Sequence, residues 1–173
     1  MPKNARKYKS GIIPSLTLLT LIQSNIMRKK SNNPTKKLAQ KLEKICHDYI
    51  RRRDSINPEI TIGGYCFDCG KMVFKQMFQA GHFLPSGSCG AILRYHPKNI
   101  HGQASGCNCH YQQEQVKIRY TMAMIKRYGK RYVDKLIALK NKSIKADSIF
   151  YEKMIELYEQ GDEEAIVDYL ESL

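Results

Sequence analysis

Between residues 34 and 54 the apolar positions Leu38, Leu42, Ile45, Cys46, Tyr49 and Ile50 recur three and four apart, with charged side chains between them. That spacing predicts a helix with one buried face. Asn33 stands ready as its N-cap and Pro34 as its first helical residue. The last turn, Arg51-Arg52-Arg53-Asp54, places cations at the carbonyl end, where they complement the helix dipole or clamp a phosphate. Asn57-Pro58 breaks the chain, and Gly63-Gly64 leads into short extended segments. Residues 72–79 and then His82-Phe83-Leu84 read as the strands of a hairpin, and Pro85 to Gly90 as a loop of the kind that sits over a bound strand. A helix is expected from about Asn108 to Arg127, with Ile118, Met122 and Ile125 as its buried stripe and Gly129 as its stop. Helices follow at about 131–140, 147–160 and 163–172. Ile149, Phe150, Met154 and Leu157 form one face of the second, and Ala165, Ile166, Tyr169 and Leu170 one face of the third. Short strands between helices make an α+β chain, with no internal repeat.

Charge changes the picture from a small mixed domain to a polyanion binder. The net charge is +13 over 173 residues, with a pI near 9.5. Residues 1–53 carry 14 basic and 2 acidic side chains, residues 54–146 carry 14 and 5, and residues 147–173 carry 1 and 9. A basic body with an acidic tail suits a nucleic acid, the tail lying away from it or competing for the same groove.

Six cysteines do not make a disulfide framework here, because Cys66-x-x-Cys69-Gly70 is a metal knuckle in which a tight turn aims both sulfurs at one ion. Residues 11–22, GIIPSLTLLTLI, are too short to span a bilayer and are interrupted by Pro14, so they read as a strand or short helix docking on the body, with an export signal as the alternative. An intracellular protein without a membrane partner is expected.

The order of the chemistry-bearing residues is more specific than any one of them. Cys66-x-x-Cys69-Gly, Ala80-Gly81-His82-Phe83, Asn99-Ile100-His101-x-Gln103 and Cys107-Asn108 follow the order of a ββα-metal nuclease centre. Together with Tyr49 to Asp54, Leu93-Arg94-Tyr95, Ile118-Arg119 and Arg127-Tyr128-Gly129 they resemble the NinG (Rap) family of phage recombination proteins, over about residues 36–140. The resemblance implies a small zinc-stapled ββα core, HNH- or treble-clef-like, flanked by helices. It divides the chain into a basic extension (1–33), a NinG-like HNH nuclease domain with its leading helix (34–140) and C-terminal acidic helices (141–173). It implies a metal-dependent endonuclease that hydrolyses phosphodiesters in branched recombination intermediates of Holliday-junction or D-loop type, working in the cytoplasm of a bacterial host. A four-way junction calls for two active sites, which points to a homodimer, although no feature of the sequence shows one.

The same resemblance assigns roles. His82 would be the general base, since neutral imidazole suits deprotonation of water near pH 7. Asn99 would orient it through its side-chain carbonyl, Asn108 would hold the catalytic magnesium or manganese, and His101 lies close enough in sequence to join them. The alternative is that His82 is a core histidine and Asn99 and Asn108 are turn and cap residues. Arg94 and Arg119 would lie near the groove beside Arg51, Arg52 and Arg53 as DNA-binding residues, with an ion pair to a nearby carboxylate as the alternative for each of the first two. Tyr65 and Tyr95 read as core residues, with base stacking as the alternative. Structural zinc would be held by Cys66, Cys69 and Cys107.

Two departures stand out. Gly81 occupies the position before the base where HNH centres carry an Asp, and Ala104 stands where the family has a fourth thiolate. Cys109, His110 and Cys89 are the replacements the sequence offers for the missing ligand. The rival reading is therefore a zinc-containing DNA-binding module without catalysis. A zinc-dependent adaptor for acidic proteins comes third.

Overall fold

The computed structural model describes residues 33–173, and expectations placed on residues 1–32, the apolar stretch 11–22 among them, lie outside the described residues. Helix α1 (Pro34–Arg53) forms as its pattern requires. The Asn33 side chain accepts from Thr35 N at 3.1 Å, Pro34 supplies the fixed first turn, and Leu42, Cys46 and Ile50 are fully buried at i, i+4 and i+8. Leu42 and Ile50 each contribute on the order of 1.5–3 kcal/mol by leaving water.

Two antiparallel ribbons follow. Strands β1 (Gly63–Tyr65) and β2 (Met72–Phe74) pair with Tyr65 opposite Met72, and β3 (Phe78–His82) and β4 (Ile100–Ala104) pair with His82 opposite Ile100. The hairpin expected between residues 72–79 and 82–84 does not exist. A 3₁₀ turn at Lys75–Met77 ends the extended run, so residues 72–74 and 78–82 belong to different sheets. Between β3 and β4 the short helix α2 (Ala91–Arg94) lies within a long loop.

After β4 come α3 (Ser105–Cys109), α4 (Glu114–Tyr128), α5 (Lys130–Leu139), α6 (Ser148–Gln160) and α7 (Glu163–Ser172). The single helix expected from Asn108 is thus broken at residues 110–113. Its buried stripe is also different. Val116, Tyr120 and Met124 face inward, while Ile118, Met122 and Ile125 are exposed. An α-helix of this composition carries two apolar stripes, and the one holding Tyr120 goes inside because its hydroxyl finds buried partners. In α6, Ile149 is likewise exposed, and Phe150, Met154, Ile155, Leu157 and Tyr158 are buried. In α7, Ile166 and Leu170 are buried, with Ala165 and Tyr169 packed beside them.

Strand alternation gives the β3–β4 ribbon two covered faces. Ala80 and Ile100 join α1, α6 and α7 in one core, whereas Phe83, Leu93, Tyr120, Met124, Val133 and Leu136 form a second with α4 and α5. The acidic C-terminal helices are therefore part of the body. Tyr158 of α6 donates to Tyr95 O at 2.6 Å and receives the Cys46 thiol at 3.3 Å. Burial pushes that thiol up to about 12, so Cys46 is a packing residue. Among the described residues no helix is long and apolar enough to cross a membrane.

Candidate functional site

The turn after β1 builds a metal-ligand cluster. Cys66 N donates to Lys71 O and Gly70 N to Cys66 O, both at 2.8 Å, and Gly70 takes φ +70°, a left-handed conformation suited to glycine. Phe67 N, donating to Gly102 O at 2.9 Å, ties the turn to β4. Helix α3 brings Cys107 to the same place. The ligand atoms of Cys66, Asp68, Cys69 and Cys107 all lie within 4.8 Å of one another. Sulfurs around zinc with bonds of about 2.3 Å stand about 3.8 Å apart, so three thiolates and a carboxylate of this spacing could hold a metal such as zinc.

The fourth group beside the three thiols is Asp68, which could take the place of the missing thiolate. Cys109 is exposed and outside the cluster, His110 Nδ1 is turned to Gly106 O at 2.7 Å, and the Cys89 thiol faces Leu84 O. The Asp68 side chain is fully buried and is compensated by Gln103 Nε2 at 3.1 Å and Arg119 at 3.5 Å. Burial pushes the Cys66 thiol up, and its hydrogen bond to Asp68 pushes in the same direction. Burial also raises the Cys69 thiol, but the Lys71 backbone N–H and the neighbouring thiols more than offset it. A dication would relieve this crowding of acidic groups.

Asp68 and Gln103 lead to the α4 face of the β3–β4 ribbon, which carries Gln79, Gly81, His101 and Gln103. A side chain at position 81 has no room, since a Cβ there would overlap the Gln103 carboxamide and lie 3.1 Å from Asn108 Oδ1. The space where an HNH Asp would start is therefore filled from the opposite strand. Gln103 Oε1 is buried without a hydrogen-bond partner among the described residues. Asn108 Nδ2 donates to Gln79 Oε1 at 3.0 Å.

His101 is not positioned to hold a metal. Tyr120 gives its only proton to Gly81 O at 2.8 Å, so it accepts from His101 Nδ1–H at 3.2 Å. Nε2 must then accept from the Tyr128 hydroxyl at 2.8 Å, and the ring stacks on Phe67 at 3.8 Å. Both nitrogens are consumed, and burial holds the imidazole neutral.

His82 points the other way. Nε2 lies 3.0 Å from Arg94 O, and because a carbonyl only accepts, this nitrogen carries the proton. Burial lowers the pKa to about 4, leaving Nδ1 an unprotonated lone pair without a partner among the described residues. The His47 ring of α1 meets the His82 ring edge-on at 5.8 Å, and Glu43, one turn earlier, pairs with Arg94 at 3.3 Å.

Asn99 makes no hydrogen bond to His82. Its Oδ1 accepts from Leu84 N at 2.9 Å, and its Nδ2 donates to Leu84 O and Leu93 O at 3.1 and 2.9 Å. It clamps both ends of the loop between β3 and α2.

The arginines also separate. Arg53 is not a phosphate clamp, because all five of its N–H groups are used. They reach Asp54 twice, Glu163, Pro97 O and Ile100 O at 2.7–3.1 Å. Arg51 pairs with Asp48, Arg94 with Glu43 and Arg119 with Asp68. Arg52 is exposed and has no ion pair among the described residues. Tyr95 is buried, and Tyr65 is exposed.

Sequence reasoning missed Asp68, Gln103 and His47. Asp68 was in plain view inside the Cys-x-x-Cys turn, and Gln103 two residues from His101 had to share its face. His47 had only its helical position, four residues after Glu43, to mark it. No curated protein and no solved structure matches the chain at a significant level. The sequence profile described as bacteriophage lambda NinG protein matches residues 23–163, most of the chain, so the knuckle, the ribbon and the helices around them belong to a member of the NinG family of phage proteins.

Proposed function

We propose that this NinG protein is a divalent-metal-dependent DNA endonuclease of HNH type acting on branched recombination intermediates. In this reading β3, β4 and the α3–α4 segment form the ββα core, and the cysteine cluster holds structural zinc. The observation that carries the reading is His82. It ends β3 as a neutral imidazole in one enforced tautomer, with its Nε2 proton on Arg94 O and its Nδ1 lone pair unused among the described residues. That is the state a general base needs before it takes a proton from water attacking phosphorus in line with the leaving oxygen. A pKa near 4 makes it a weak base with full availability at neutral pH. Magnesium or manganese would supply charge neutralisation on the phosphate. The oxygens that fit such an ion are Gln103 Oε1, which lacks a donor, and Asn108 Oδ1 beside it. The net charge of +13 supports a DNA substrate, and paired cuts at a junction would take two copies of the chain.

A specific observation favours a second reading, a zinc-stapled DNA-binding module without catalysis. Alternation along β3 sends His82 toward α1 and Gly81 toward Asn108, and no hydrogen bond joins His82 to Asn99, His101 or Asn108. Purified protein on a synthetic four-way junction, with and without magnesium or manganese, separates the two. Metal-dependent cutting that disappears in His82→Ala while binding persists supports the nuclease. Tight, salt-sensitive binding without cutting by the native protein would leave the binding module.

A further inference from the structure

The β1–β2 ribbon has an inner and an outer face, and only the inner one is packed. Gly64 lies against Asp54 O and the Phe78 ring, where a Cβ would not fit, and Val73 opposite it is half-buried. On the outer face Tyr65, Met72 and Phe74 are 62 %, 43 % and 57 % exposed. The register makes them neighbours, with Tyr65 directly across from Met72 and Phe74 two residues farther along. Phe74 pairs with Gly63, so no side chain stands across the ribbon from its ring. Two aromatic rings and a thioether on three-residue strands form an apolar patch with no structural reason to be outside.

Charge says what it fits. Lys71 and Lys75 stand immediately before and after β2, both are exposed, and neither has an ion pair among the described residues. No Asp or Glu occurs from residue 69 to residue 113. Aromatic faces between unpaired lysines are complementary to a strand whose bases are unstacked and whose backbone is anionic. A duplex hides its base faces and offers only phosphates to such a surface. The knuckle hydrogen bonds and the tie from Phe67 N to Gly102 O hold the ribbon in place, so little ordering is needed on binding.

We propose that the outer face of the β1–β2 ribbon is a stacking platform for unpaired nucleotides, with Tyr65 and Phe74 as the stacking rings and Lys71 and Lys75 as phosphate contacts. This rests on the reading of the chain as a DNA-binding protein and gives it a preference for single-stranded segments of the kind exposed at a branch.

The test is fluorescence anisotropy with a labelled twelve-nucleotide oligothymidylate and a blunt duplex of equal length, at several salt concentrations. Tyr65→Ala and Phe74→Ala should each weaken oligothymidylate binding about ten-fold or more, with duplex binding unchanged. Tyr65→Phe, which keeps the ring, should bind as the native protein does. Lys71→Gln with Lys75→Gln should reduce the single-strand salt slope by about 1.4. Zinc content and melting temperature of each variant show that the ribbon is intact, and Tyr65→Phe against Tyr65→Leu carries the test if Phe74→Ala does not fold. Equal losses for both DNAs, or none for either, would overturn the platform while leaving duplex binding in place. Altered self-association with unchanged DNA affinity would overturn it in favour of a protein contact. Absence of binding to both DNAs by the native protein would instead remove the DNA reading itself.

Discussion

The two faces of the β3–β4 ribbon are built from alternate residues of the same ten, yet they solve different problems. The face toward α4 carries a polar chain from the cysteine cluster through Asp68 to Gln103, a separate Asn108–Gln79 hydrogen bond, and His101 locked between two tyrosines. Apart from Gln103 Oε1 and Asn108 Oδ1, the donors and acceptors named there are paired, which makes the face rigid. The face toward α1 is apolar except at its end, where His82 keeps one nitrogen uncommitted among the described residues. The difference teaches that a buried histidine is read by its hydrogen bonds more than by its burial. His101 has no lone pair to offer, and His82 has one.

The largest way to break this comparison is to remove the metal-ligand end. Cys66→Ser should lose bound zinc and the cooperative melt, because structural zinc binding is folding free energy of about 10–16 kcal/mol in small zinc domains. Elemental analysis and thermal denaturation by circular dichroism check it, and a native-like melt without zinc would show the cluster to be dispensable. Next comes the α1 face. His82→Ala should lower cleavage by about 10²–10⁴-fold with DNA affinity unchanged, whereas His47→Gln, whose ring only abuts His82, should cost about ten-fold. Single-turnover kinetics on a junction substrate measure both.

Acid strikes both faces at once. His82 and His96 have pKa values lowered to about 4 by burial, and burial lowers that of His101 as well. Their unfolded counterparts take up protons from about pH 6.5 downward while the folded ones stay neutral, so stability falls from pH 6.5 toward pH 4. The loss for His82 and His96 should be about 2 kcal/mol each at pH 5, read from urea melts across that range. Protonation of zinc-bound thiolates would add a loss of the same sign.

Asn99→Ala sharpens the assignment of roles. Three backbone groups at the two ends of the loop would lose their partner, a cost of about 3 kcal/mol in stability. A variant that melts like the native protein but fails to cleave would return Asn99 to the chemistry. The smallest effect is expected at Arg52. Its replacement by Gln should leave stability within about 0.5 kcal/mol and flatten the DNA salt slope by about 0.9. The neighbouring Arg53→Gln should instead destabilise by about 3–5 kcal/mol, because Asp54 and Glu163 would lose their cation.

What the sequence by itself determined is whatever rests on neighbours along the chain. The N-cap and buried stripe of α1, the Cys66–Cys69 knuckle closed by Gly70, the approximate extents of α6 and α7, and the family itself were legible because caps, turns and helical repeats involve residues within a few positions of one another. Tertiary structure decided the rest. Only packing chose the Tyr120 stripe of α4 over the Ile118 stripe, since both satisfy the same periodicity. Only strand register set Gln103 over Gly81, and only the approach of α1 to β3 put His47 against His82. Asp68 entered the cluster through its position in the turn, but its burial depended on Arg119 and Gln103 arriving from α4 and β4. The same distance in sequence separates Arg52 from Arg53 as from Arg51. Which of them is consumed in the fold depends on carboxylates and carbonyls as far as 110 residues away, a fact that no local pattern carries.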